Sequence, residues 1–180
     1  MDKPILYCDC DGVILNTIQV AFSIMREHGC NLGNRQEVDA FFRNYIDWKE
    51  IFNRAEIIND AINQLRYIRK SGLFGDVMIL SKLSGGYDEE RLKRALFAKT
   101  LPMVRVITLQ YGLNKGSVVN ASGNILVDDE IGNCEMWRKE NGTAILFSPY
   151  MTCVENDIIS NLSQLKYTDG VKKLIKTRKF

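Results

Sequence analysis

The sequence predicts an α/β fold built on a parallel sheet, and three observations carry that expectation. Five short apolar runs, none alternating with polar residues, read as strands buried on both faces. Amphipathic stretches of helical period separate the later runs, so strand and helix alternate along the chain. The length of 180 residues, 46% of them hydrophobic, suffices for one solid core and is short for two.

The runs are Ile5-Leu6-Tyr7-Cys8, Val77-Met78-Ile79-Leu80, Val104-Arg105-Val106-Ile107, Ile125-Leu126-Val127 and Ala144-Ile145-Leu146-Phe147. Asp88 to Lys99 places Leu92, Ala95 and Leu96 on one helical face, and Glu130 to Glu140 leads to Gly142, a residue type that stops helices. Between the first two strands lie residues 14 to 75, far more than one crossover helix requires. Ile18, Phe22 and Met25 recur at helical spacing after Asn16 and Thr17, either of which can cap. Ile58, Ala61, Ile62, Leu65 and Ile68 repeat the pattern before Gly72. A segment dense in aromatics, Phe41 to Phe52, sits between them. The spacing therefore predicts a small helical cap over 16–72, inserted into a core made of 1–15 and 73–180. From about Glu155 to Phe180 one or two helices are expected, with Thr168 as a cap before Val171, Leu174 and Ile175.

Charge is abundant but balanced, with 24 basic against 22 acidic residues. No overall field draws a nucleic acid polymer or a membrane surface, so any phosphate recognition must be local. The basic run Lys172, Lys173, Lys176, Arg178 and Lys179 reads as a solvated helix face. Five cysteines, Cys8, Cys10, Cys30, Cys134 and Cys153, form no Cys-x-x-Cys pair and are odd in number. That fits neither a disulfide framework nor a zinc ribbon, and reads as reduced thiols. The opening residues hold no signal-peptide core and no apolar run reaches bilayer length, which makes a cytoplasmic location the expectation.

Asp9-Cys10-Asp11-Gly12 follows the first strand run, at the carboxyl edge where open α/β sheets bind ligands. A calcium loop starting at Asp9 would want Gly sixth and Glu twelfth, but Ile14 and Val20 stand there. Ser81 ends the second run, Lys115 follows the third in Leu113-Asn114-Lys115-Gly116, and Asp128-Asp129-Glu130 ends the fourth. Singly, a turn serine and a solvated lysine are ordinary. Two adjacent carboxylates directly after three buried apolar residues are not, because crowded like charges call for a compensating cation. Cys8 and Cys10, flanking Asp9, are expected to turn into the core, and His28 to lie on the surface.

The order Asp-x-Asp-Gly-Val, apolar-Leu-Ser, Lys, apolar-Asp-Asp resembles the four motifs of the haloacid dehalogenase (HAD) superfamily of phosphohydrolases over almost the whole chain. More narrowly, Leu92 to Pro102, Asn114-Lys115-Gly116, and Ile125 to Glu130 through Asn133, Trp137 and Gly142 to Phe147 are similar to the 5′(3′)-deoxyribonucleotidase family. The resemblance implies a Rossmann-like core with a five-stranded parallel sheet in the order 5-4-1-2-3, which brings Asp9, Ser81 and Asp129 around one pocket. It implies that Asp9 attacks phosphorus to give an aspartyl-phosphate, splitting one difficult displacement into two. Asp11 would protonate the leaving oxygen and then activate water. Mg2+ would be held by Asp9, the Asp11 carbonyl and one of the Asp128-Asp129 pair, with Asp129 favoured and Asp128 in support. Ser81 and Lys115 would hold the phosphate, and Gly12 would let the chain turn closely over it.

The expected activity is a magnesium-dependent phosphomonoesterase acting on a small phosphate ester, with a nucleoside monophosphate as the expected substrate. Phe22, Phe41, Phe42, Tyr45, Trp48 and Phe52 include candidates for stacking on a base. A sugar phosphate or other small metabolite is the alternative substrate class, and a catalytically inactive phosphate-binding regulatory module is the second alternative. A two-component receiver would place its acidic pair near the start and its phosphorylated Asp on the third strand, which this order contradicts. Dehalogenation calls for neither the acid at Asp11 nor magnesium.

Overall fold

Parallel pairing joins all the named strands in the computed structural model of the chain, which describes residues 3–85, 87–151 and 156–176. Strands β1 (Ile5–Cys8), β2 (Asp76–Leu83), β3 (Arg105–Gln110), β4 (Ile125–Asp128), β5 (Thr143–Phe147) and β6 (Ile158–Ile159) lie in the order β3-β2-β1-β4-β5-β6. The first five take the expected arrangement. The sheet nevertheless has six strands and not the expected five, because Ile158 and Ile159 pair with Leu146 and Phe147 and extend the β5 edge. Two residues between Asp157 and Ser160 form no apolar run long enough to read as a strand.

Continuous apolarity in the inner strands has a direct cause. Leu6 and Cys8 enter one core cluster while Tyr7 enters another on the opposite face. The first cluster is covered by α4 (Ala61–Lys70), α5 (Tyr87–Thr100), a 3-10 helix (Leu162–Tyr167) and α8 (Asp169–Lys176), through Leu65, Phe97, Leu162 and Val171. The second is covered by α7 (Ile131–Lys139), whose Trp137 is fully buried with its ring edge-on to Tyr7 at 5.4 Å. Cys8, Cys10 and Cys134 are buried thiols whose pKa burial raises, as packing residues require.

Helices α1 (Thr17–Glu27), α2 (Arg35–Asn44) and α3 (Trp48–Arg54) form a third cluster of their own around Ala21, Ile24, Met25, Phe41, Trp48 and Ile51. Its details differ from the periodicity reading. Ile18 and Phe22 are only half-buried while Ala21 and Ile24 are buried, because α1 is apolar over more than one stripe and its partners select the face. Asn16 does not cap α1 with its side chain. Its Oδ1 accepts the Glu56 amide at 2.7 Å, and its own amide donates to the Glu56 carbonyl at 3.1 Å. Together with the Leu15 to Ile57 bridge, this ties the start of the insertion to its end. Helix α4 falls inside the 16–72 expected for the cap, but it packs Ala61, Ile62, Leu65 and Ile68 into the sheet's own cluster.

On α5 the expected face also shifts. Ala95 is exposed and Leu92 and Leu96 are half-buried, whereas Glu89, Lys93 and Phe97 form the fully buried stripe. At the carboxyl end, Thr168 donates its hydroxyl to the Leu165 carbonyl at 2.8 Å, and Lys172, Lys173 and Lys176 are exposed on α8. Cys153, Glu155, Arg178, Lys179 and Phe180 lie outside the described residues. Among the described residues, no helix is long and apolar enough to cross a membrane.

Candidate active site

Register alone brings the acidic residues together. Cys8 pairs with Val127 in β4 and with Ile79 in β2, and the Asp9 amide continues the ladder by donating to the Val127 carbonyl at 2.9 Å. One step further along each strand Asp9 falls level with Asp128, and two steps further Cys10 falls level with Ser81. The chain then folds tightly: the amides of Ile14 and Leu15 both donate to the Cys10 carbonyl, and buried Val13 and Ile14 anchor the turn. Gly12 sits at φ +75, and a Cβ added there would lie 1.9 Å from Asp129 Oδ2. Its missing side chain is thus where Asp129 packs, and both the conformation and the close approach demand glycine.

Lys115 opens the short helix α6 (Lys115–Val118), which Asn114 caps by accepting the Gly116 amide at 3.2 Å. The Lys115 ammonium is buried 2.8 Å from Asp9 Oδ1 and 2.6 Å from Asp128 Oδ2. Burial would lower its pKa, but Asp9 and Asp128 outweigh that and raise it. Asp128 is fully engaged, since its Oδ1 also accepts the Glu130 amide at 3.0 Å and Asn133 Nδ2 at 2.9 Å. Lys82 in turn donates to Asn133 Oδ1 at 2.5 Å.

Asp9, Asp128 and Asp129 each offer a carboxylate oxygen within 4.8 Å of the others, a group that could hold a metal ion. Asp9 Oδ1 is buried without an aligned hydrogen bond. Burial, opposed by Lys115 and reinforced by Asp128 and Asp11, pushes the Asp9 carboxyl up to about 7. Desolvation and then the like charges of Asp9 and Asp128 push Asp129 up to about 8, although the residue is solvent-exposed, which screens part of this effect. Hard oxygen donors and an excess of negative over positive charge fit a divalent cation such as magnesium.

This crowding has a consequence for stability. Both carboxyls stand above the ordinary 3.8, so between those values the folded protein binds more protons than the unfolded chain. The penalty is absent below the unfolded pKa, grows as pH rises from there to the folded values, and is constant above them. In a chelator, the melting temperature is expected to fall from about pH 5 to about pH 8, and adding a divalent cation should remove most of the fall. A melting temperature that instead rises over this range in chelator would count against the carboxylate cluster.

Asp11 faces a second set of groups. Thr17 Oγ1 donates to its Oδ1 at 2.6 Å, and Ser81 Oγ and Lys93 Nζ approach its Oδ2 at 3.2 and 2.5 Å. Ser81 is fully buried, with its hydroxyl committed to Asp11 and to Lys93. Thus Asp9, Asp11, Gly12, Ser81, Lys115, Asp128 and Asp129 all meet at the carboxyl edge of the sheet. Sequence reasoning missed Lys93, Glu89, Thr17 and Asn133. For Lys93 and Glu89 a signal existed in the four-residue spacing Glu89, Lys93, Phe97, Leu101, which runs two charges into an apolar stripe.

No family profile matches the sequence, and no curated protein matches it either. Solved structures do match the fold. A family IA, variant 3 HAD hydrolase of Entamoeba histolytica superposes with a TM-score of 0.62 at 14% identity, covering 98% of this chain and 100% of that one. The HAD hydrolase YfnB of Bacillus subtilis, solved with magnesium bound, gives 0.60 at 13% identity, with 93% and 98% covered. A Lactobacillus delbrueckii protein assigned as a phosphoglycolate phosphatase gives 0.55 at 11% identity, with 92% and 98% covered. At these identities the likeness establishes the α/β Rossmann-like fold shared with HAD hydrolases.

Proposed function

We propose that the chain is a magnesium-dependent phosphomonoesterase in which Asp9 is the nucleophile. The observation that carries this reading is the convergence of Asp9, Lys115, Asp128 and Asp129, with ligand oxygens of the three acids within 4.8 Å. A phosphate monoester is a dianion that resists attack by another anion, so a site that cleaves it needs both a nucleophile and concentrated positive charge. Asp9 would be held by Lys115 for attack on phosphorus, forming an aspartyl-phosphate while the leaving oxygen takes a proton from Asp11. Asp11 would then accept a proton from the water that hydrolyses this intermediate. Magnesium, when bound, would neutralise charge on the phosphoryl oxygens. Asp9, Asp129 and the Asp11 carbonyl would hold it; the division of labour follows from Asp128 being spent on Lys115, Glu130 and Asn133, while Asp129 stands open against Gly12. Ser81 would steady the site through Asp11, and Lys115 would draw the phosphate.

For the substrate, a nucleoside monophosphate is the finer reading that the deoxyribonucleotidase-like motifs suggest. Base stacking has limited support: Phe41 and Trp48 are buried in the insertion's core, Phe22, Phe42 and Phe52 are half-buried, and Tyr45 alone of the six is exposed. A sugar phosphate or other small metabolite fits at least as well, given the neighbour assigned as a phosphoglycolate phosphatase. Phosphate release from a panel of nucleoside monophosphates, sugar phosphates and phosphoglycolate, with magnesium and with chelator, tests both levels. We expect release only with the metal, and kcat/KM at least about tenfold higher for one class than for the other. Metal-independent release, or none on any ester, would refute the phosphatase reading.

A further inference from the structure

Among the described residues, Lys93 is a fully buried charge whose placement the proposed chemistry does not yet explain. It is an ammonium with no exposed surface, on the buried stripe of α5. Desolvating such a charge costs several kcal/mol and is tolerated only where opposite charge and acceptors surround it. Here four acceptors do: Asp11 Oδ2 at 2.5 Å, Glu89 Oε1 at 2.5 Å, Ser81 Oγ at 3.0 Å and the Lys82 carbonyl at 3.0 Å. Two of these belong to β2 and one to the loop after β1, so the ammonium joins three separate segments at one point.

The surroundings keep that point fixed and dry. Glu89 accepts the amides of Ser84 and Gly85 at 2.8 Å each through its other oxygen, which ties the loop after β2 to the start of α5. The Trp48 ring of α3 lies 5.6 Å from Lys93 Nζ, and its indole nitrogen is packed so closely on Gly85 that a Cβ there would come within 2.1 Å. Asp11 is left with Oδ1 on Thr17 and Oδ2 on Lys93 and Ser81, so its plane and rotamer are set from both sides. No hydrogen bond joins Lys93 to Asp9, whose own cation is Lys115.

We propose that Lys93 is a positioning residue for Asp11, fixing the carboxylate that exchanges a proton with the leaving-group oxygen and specialising the site for esters whose leaving oxygen needs that proton. This rests on the phosphatase reading above. In the step concerned, the Asp9 oxygen to phosphorus bond forms, the bond from phosphorus to the leaving oxygen breaks, and that oxygen takes the proton from Asp11. Geometry at Asp11 should therefore matter in proportion to how basic the leaving oxygen is, which a role confined to stability would not produce.

The test uses 4-nitrophenyl, phenyl and benzyl phosphate, which are similar in shape but increasingly basic at the leaving oxygen, with magnesium, comparing wild type and Lys93→Met. The expected result is a kcat lowered on the order of 100-fold on benzyl phosphate but less than about tenfold on 4-nitrophenyl phosphate, with KM within about threefold. Because Lys93→Met leaves Glu89 buried without its cation, a variant that fails to melt cooperatively is replaced by K93M/E89Q, for which the same pattern is expected. Equal losses across the three esters, or a change confined to KM, would overturn the positioning role while leaving the phosphatase reading intact. Wild-type protein inactive on all three would overturn that reading, and this one with it.

Discussion

Asp9→Asn is expected to leave less than about one-thousandth of the wild-type magnesium-dependent phosphate release, measured on an aryl phosphate at saturating metal. The substitution keeps the size of the side chain and the backbone ladder to Val127 but removes the attacking charge. It also removes one of the three carboxylates that crowd the site, a charge whose burial already pushes the pKa to about 7. The variant should therefore stay folded, with a melting temperature in chelator at about pH 8 at or above that of wild type, so that loss of activity reports on chemistry. If it retained half of the wild-type rate, Asp9 would not be the nucleophile, and the adjacent acids would have to be tested in its place.

The second large effect is expected at Lys115. Lys115→Met strips the shared cation from Asp9 and Asp128, both buried, and breaking such a pair by removing one partner costs about 3–5 kcal/mol. Activity should drop on the order of 100-fold or more, because the phosphate loses a fixed positive charge and Asp9 loses its anchor. Denaturant melts at about pH 8 should show the loss of stability in chelator and a smaller loss with magnesium, since the metal replaces part of the missing charge. A variant as stable as wild type in chelator would mean that solvent, not Lys115, balances the two carboxylates.

Much of the site was legible before any coordinates, and the reason is geometric. In a parallel sheet the carboxyl ends of the strands collect at one edge, and the strand order that the HAD resemblance implies then predicts that Asp9, Ser81 and Asp128-Asp129 meet. Between the two adjacent acids the resemblance favours Asp129, and the engagement of Asp128 by Lys115, Glu130 and Asn133 supports the same reading. β6 escaped notice because two residues carry no period. Lys93 and Glu89 escaped for the opposite reason: a Glu and a Lys four apart on a helix form the usual pattern of a solvated ion pair, and only tertiary packing turns that face inward. The faces of α1 and α5 shifted for the same cause, since each carries apolar residues on more than one stripe.

The clasp between Asn16 and Glu56 separates two design problems. Their sequence separation of 40 residues closes into a neck of two adjacent backbone segments, and beyond it α3 is seated on α5, with Leu92 of α5 against the insertion's own cluster and Trp48 over Lys93. Chain lengthening between fixed ends is entropically cheap, about 0.6 kcal/mol per doubling. The connections between these helices can therefore be lengthened or shortened without rebuilding the sheet, provided that Thr17 keeps its bond to Asp11 and α3 its seat on α5.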